Sequence, residues 1–99
     1  MKKDLLNIIN HYGILPQLKY IHSEYFELDE AILEIEKANE WTPSMVENWK
    51  NHIAEEIADV MVMLKQFQYY YDIDDKQIEE IMNYKINRQL ERIKEENER

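Results

Sequence analysis

Residues 44–71 read SMVENWKNHIAEEIADVMVMLKQFQYYY, and this stretch decides the fold. It contains neither Gly nor Pro, and its apolar side chains recur at helical rather than alternating spacing. On a wheel at about 100° per residue, Ile53, Ile57, Val60, Met61, Met63, Leu64 and Phe67 occupy most of the circumference, with Val62 on the far side. A helix that is apolar nearly all round must be covered nearly all round.

The same period extends in both directions. Upstream, Trp41, Thr42, Pro43 and Ser44 interrupt it, and Ser44 with Glu47 three residues on has the spacing of a capping box that opens the long helix. Before that break Leu18, Ile21, Tyr25, Leu28, Ile32 and Ile35 form a helical stripe from Pro16, tolerated in a first turn, to about Asn39. A short first helix from Lys3 to Tyr12 carries Leu5, Leu6, Ile8 and Ile9 and ends at Gly13, the sole glycine, which tolerates positive φ. Downstream, residues 72–75 form an acidic turn. Asp74 with Gln77 then repeats the capping spacing before Ile78, Ile81, Met82, Ile86, Leu90 and Ile93. The polar tail, about 95–99, is expected to fray.

The expected fold is all-α, one domain over residues 1–99. Helices of roughly 24 residues are about 36 Å long, and three others, one of them short, cover at most two sides of the third. The expectation is therefore a four-helix-type bundle completed by oligomerisation, a homo-oligomer whose interface uses the third helix.

Composition narrows the functions. The 99 residues carry 12 Lys+Arg against 21 Asp+Glu, a formal net charge of -9. That excess of acid argues against duplex nucleic acid and against anionic membrane surfaces as partners. No run approaches the ~20 apolar residues of a membrane span, and no signal-peptide pattern opens the chain. The absence of Cys removes disulfides, thiolate metal sites and Cys nucleophiles, and fits a cytoplasmic location.

Two carboxylate pairs carry the chemistry. Glu24 and Glu27 on the second helix, and Glu56 and Asp59 on the third, are each spaced i, i+3, which sets both members on one side of their helix. Facing one another, they converge four carboxylates, an oxygen-only set suited to Mg²⁺ first and Mn²⁺ next. An acidic pair on an acidic helix is commonly solvated surface, and Glu34 and Glu36 are read that way. Glu56 differs because it falls among Trp49, Val60 and Met63, inside the apolar arc, where an uncompensated charge is costly. His11, His22 and His52 have no ligand spacing, and none follows a Glu by three residues as a di-iron bundle requires.

Half of the basic residues lie from Lys76 onward. Lys85, Arg88 and Arg92 share an arc of about 60°, and Arg88 and Arg92 are like charges at i, i+4 that call for an anion or an acidic partner. Ion pairing to Glu91, Glu95 or Glu96, or to acids on another helix, is the structural alternative. Acids that hold a metal and bases that hold oxyanions suit a phosphoanhydride. With Gly13 alone, no Gly-rich phosphate cradle exists.

Gly13-Ile14 to Gln17-Leu18-Lys19, then Glu24 to Leu28, His52 to Val60 with its Glu55-Glu56-Ile57-Ala58-Asp59 core, and Lys85 with Arg88 and Arg92 together resemble the MazG-like all-α nucleoside triphosphate pyrophosphohydrolases over nearly the whole chain. The resemblance implies a dimer or tetramer of helical bundles that hydrolyses (d)NTP to (d)NMP and pyrophosphate. Mg²⁺ would be held by Glu24, Glu27, Glu56 and Asp59. It also implies that Glu24 or Glu27, with Glu27 favoured, orients and deprotonates the attacking water, and that Lys85 and Arg88 contact the phosphates. Arg92 is added as an extension of that basic motif. Many relatives carry two adjacent acids at the first motif, but Ser23 precedes Glu24 here, so an accessory fifth carboxylate is missing. Trp41 and Trp49 are read as packing anchors, although either ring can stack on a base, and the connection from Glu36 to Trp49 as the specificity loop. The competing reading is a non-catalytic helical interaction or regulatory module that keeps the fold.

Overall fold

A computed structural model describes residues 1–98. The described chain is helical throughout: α1 (Lys2–Tyr12), α2 (Ile14–Glu36), α3 (Pro43–Tyr70) and α4 (Asp75–Asn97).

Three short junctions set the path. Gly13 adopts φ 94° and ψ 155°, a region open essentially to glycine alone. Its N–H donates to the Ile9 carbonyl at 2.8 Å, closing α1, and its own carbonyl accepts from the Gln17 N–H at 3.2 Å, opening α2. α2 thus begins at Ile14, before the expected Pro16. Pro16 is tolerated because the first four N–H groups of a helix have no intrahelical acceptor. α3 is capped by Thr42, not Ser44: Thr42 Oγ1 accepts from the Met45 N–H at 3.2 Å, with Pro43 preset for the first helical position. Ser44 consequently falls inside the first turn, and the proposed box with Glu47 does not form. At the last junction Asp72 takes φ 56°, and the expected Asp74 cap is present, Oδ1 accepting from the Gln77 N–H at 2.7 Å. α2 ends at Glu36, short of Asn39. α4 runs regularly to Asn97, past the onset expected for fraying, while residue 99 lies outside the described residues.

α2 packs along α3, and α1 lies across both. Leu5, Ile9, Ala31, Ile35, Met63 and Tyr69 are the buried apolar side chains, Ile9 completely so. Burial of an aliphatic side chain of that size contributes about 1.5–3 kcal/mol. α4 makes no close packing with α1, α2 or α3 and buries no residue. A single chain therefore does not close a four-helix bundle; it forms a three-helix body with α4 outstretched. The accessible surface is 8235 Å², against about 6,100 Å² for a compact chain of this mass. The radius of gyration is 17.5 Å, against about 13 Å for a compact one. Ile57, Met61 and Leu64 of α3 and Ile81, Met82, Ile86, Leu90 and Ile93 of α4 stand exposed.

The start of α4 is nonetheless fastened. The Asp75 carboxylate accepts from Lys65 Nζ at 2.6 Å, Gln68 Nε2 at 2.8 Å and the Tyr69 hydroxyl at 2.9 Å. These donors, Lys65 first, hold the Asp75 carboxyl down at about 2. Gln68 Nε2 also reaches the Ile73 carbonyl at 3.0 Å, bracing the turn. Among the described residues, no helix is long and apolar enough to cross a membrane.

Candidate metal centre

Packing α2 against α3 brings the two i, i+3 acidic pairs face to face. Glu24, Glu27, Glu56 and Asp59 each offer a carboxylate oxygen to one cluster, and these four atoms lie within 4.8 Å of one another. The helices place the residues differently in depth. Glu24 is 6% exposed and Glu56 is half-buried, whereas Glu27 and Asp59 face outward. Oε2 of Glu24 and Oε2 of Glu56 are both shut off from solvent with no hydrogen-bond partner.

Buried acceptors without donors are rare because each forfeits its hydration. Here the deficit falls on two carboxylates that also repel one another. The Glu56 carboxyl is raised above its ordinary value, by desolvation first and then by the charges of Glu27 and Asp59, with His52 acting weakly in the opposite sense. Tyr20 lies beside Glu24, and its phenol is likewise raised, by hydrogen bonding to that carboxylate and then by its charge. No Lys or Arg forms an ion pair with any of the four acids among the described residues. No protein-family model, curated protein or solved structure matches this chain.

A divalent cation answers each feature of this geometry: it supplies the absent partner for the two shielded oxygens and offsets the mutual repulsion. The donor set is carboxylate only, which suits a hard cation rather than Zn²⁺ or copper. The four residues fit a hard divalent cation.

The basic residues lie elsewhere. Lys85, Arg88 and Arg92 are exposed on α4, which does not pack near the cluster within one chain. Arg88 lies over the Tyr84 ring at 5.9 Å, and none of the three pairs with Glu91, Glu95 or Glu96 among the described residues. The intrahelical ion pairing open to them is not formed. Trp41 and Trp49 meet edge to face at 5.4 Å, over an apolar hollow that includes Ile35 and Ile53 and none of the four acids.

One pair of polar residues escaped the sequence reading. Gln17 and Gln66 are buried, and Gln17 Nε2 donates to Gln66 Oε1 at 2.8 Å. On the wheel Gln66 falls about 60° from Met63, on the side toward Val62, at the edge of the apolar arc, so its position hints at burial but not at its partner.

Proposed function

We propose that this protein is a Mg²⁺-dependent nucleoside triphosphate pyrophosphohydrolase of the MazG-like kind, converting (d)NTP and water to (d)NMP and pyrophosphate. The observation that carries the reading is the convergence of four carboxylates, two of them holding buried oxygens without donors. Glu24, Glu27, Glu56 and Asp59 would hold the metal, which when bound neutralises phosphate oxygens and acidifies water. Glu27, the exposed member on α2, is open to the approach of water and suited to accept its proton, with Glu24 as the alternative base. Glu56, desolvated and hemmed in by like charge, serves as a ligand rather than a base.

Phosphate binding needs cations that one chain does not bring to the acids. We assign it to Lys85, Arg88 and Arg92 on the α4 of a second copy, so that the site is completed in a homo-oligomer. About 2,000 Å² of surface in excess of a compact chain is of the size a stable interface buries. The exposed stripe on α4 also favours a second reading, a helical interaction module without turnover.

The deciding experiment is pyrophosphate release from a panel of ribo- and deoxyribonucleoside triphosphates, with and without Mg²⁺. Metal-dependent release supports the hydrolase. Silence across the panel from a folded, oligomeric protein supports the module.

A further inference from the structure

α4 leaves the body with no helix packed closely along it, and just past its start it diverges from α3 around a hollow of about 380 Å³, with Met61 and Leu64 on one side and Ile78 and Met82 on the other. Its direction is therefore set at one end alone. There Asp75 Oδ1 accepts from Lys65, Gln68 and Tyr69, and Oδ2 accepts from the Tyr69 hydroxyl as well, at 3.0 Å. An isolated ion pair at the surface contributes little. This one differs because Gln68 and Tyr69 are buried on α3, and the ammonium groups of Lys2 on α1 and of Lys65 stand 5.5 and 5.6 Å from the centre of the Tyr69 ring. The turn is braced in parallel: the Asp72 and Ile73 N–H groups donate to the carbonyls of Tyr69 and Gln68, each at 3.0 Å.

The length of α4 turns a small change of angle into a large displacement. Arg88 lies thirteen residues beyond Asp75, about 20 Å along the helix axis. A swing of about 10°, inside the ordinary scatter of helix crossing angles, would carry it about 3.5 Å, more than the whole length of a charge-assisted hydrogen bond, about 2.7–2.9 Å. Glu56 and Asp59 belong to the same α3 as Lys65, Gln68 and Tyr69, so one helix carries both an acid pair and the three donors. In a symmetric pair of copies, an angle fixed within each chain is a position fixed in the other.

We infer that Asp75 is a positioning residue for phosphate capture: held by Lys65, Gln68 and Tyr69, it fixes the angle between α3 and α4 and thereby the place at which Lys85 and Arg88 meet the acids of a second copy. The inference rests on the hydrolase reading and on its assignment of phosphate binding to α4. Asp75 touches neither metal nor phosphate and acts only through the placement of those cations.

The test compares the full chain with its Asp75→Asn and Tyr69→Phe variants in three measurements. Calorimetric titration with Mn²⁺ alone reads the acid cluster, and titration with tripolyphosphate in Mg²⁺ reads phosphate capture. Spin labels at Glu47→Cys and Glu91→Cys, in a chain with no other cysteine and diluted into unlabelled copies, read the spread of distances between α3 and α4. Both variants should keep Mn²⁺ affinity within about twofold, as distant sites do. They should broaden the distance distribution and bind tripolyphosphate about tenfold more weakly, the loss of one hydrogen bond to a charged group. Asp75→Glu, which keeps a carboxylate for the same donors, should recover most of that affinity. The inference is overturned if the variants bind tripolyphosphate as tightly as the wild type, if affinity falls without broadening, or if Mn²⁺ affinity falls in parallel, the mark of a merely structural role. Failure of tripolyphosphate to bind the wild type in Mg²⁺ would instead overturn the hydrolase reading, and this inference with it.

Discussion

Glu24 on α2 and Glu56 on α3 each hold one carboxylate oxygen that is cut off from solvent and has no hydrogen-bond partner, within a single four-acid cluster. Two helices that pack on apolar contacts thus meet around uncompensated charge. The pairing destabilises the metal-free fold and, in the proposed reaction, creates the site.

Glu56→Gln should raise the thermal midpoint of the metal-free protein at neutral pH while abolishing metal-dependent activity. The folded-state pKa of Glu56 is raised above 4.5, so its ionised form destabilises the native state, and that penalty grows as pH climbs through the raised value. The gain in the variant should therefore vanish below about pH 4.5. Melting curves from pH 4 to 8 check the sign, and wild-type turnover in the variant would mean the site lies elsewhere.

Mg²⁺ at about 100 times its dissociation constant should stabilise the wild-type chain by roughly 2.7 kcal/mol, a midpoint increase of about 10 °C or more. Ca²⁺-free differential scanning with and without Mg²⁺ measures it, and Glu56→Gln should lose most of the increase.

Arg88→Ala should leave metal-free stability within about 0.5 kcal/mol, because Arg88 is exposed and makes no ion pair among the described residues. Nucleotide affinity should fall about tenfold, the value of one charge-assisted contact. Since α4 does not reach the acids of its own chain, mixing weakened Arg88→Ala with inactive Glu56→Gln chains should make about a quarter of the sites wild-type in a dimer with random exchange, visible at nucleotide concentrations too low for Arg88→Ala alone. A large loss of metal-free stability would assign Arg88 to structural pairing instead.

Leu90→Glu places a charge in the exposed α4 stripe with Ile86 and Ile93. Sedimentation of the wild type should give a multiple of 12.2 kDa, and the variant should shift toward the single-chain mass. Unchanged mass would remove α4 from the interface.

Asp75→Asn should lower the midpoint at pH 6 and not at pH 2. Asp75 is held at about 2, below its ordinary 3.8, by the donors Lys65, Gln68 and Tyr69. Its contribution is present above pH 3.8 and is lost as the pH falls toward 2. The difference between wild type and variant, followed by thermal melts across that window, should close; a constant offset would show that the carboxylate charge is not the source.

The residues explain which features could be read in advance. Helix existence followed from the 3.6-residue period, and the Asp74 cap from its spacing to Gln77, because both depend on neighbours in sequence. Ser44 with Glu47 is a valid local capping pattern for α3, but it loses to Thr42 followed by Pro43. The acid pairs were legible since i, i+3 fixes a face, but the depth of Glu24 depends on packing against α3. The Gln17–Gln66 contact joins positions 49 apart, and no local pattern encodes it. The stripe on α4 announces an apolar face without saying what it meets; within one chain Ile78 and Met82 share a hollow with Met61 and Leu64 of α3, while Ile86, Leu90 and Ile93 stay exposed.

The clasp of Lys65, Gln68 and Tyr69 on Asp75 gives the outstretched arm a fixed bearing from its first turn. In the proposed oligomer, a second copy docking there would meet a rod already aimed, so less orientational freedom would be surrendered on encounter than a floppy tether would demand. Loosening that wrist should slow assembly before it harms the body of the protein.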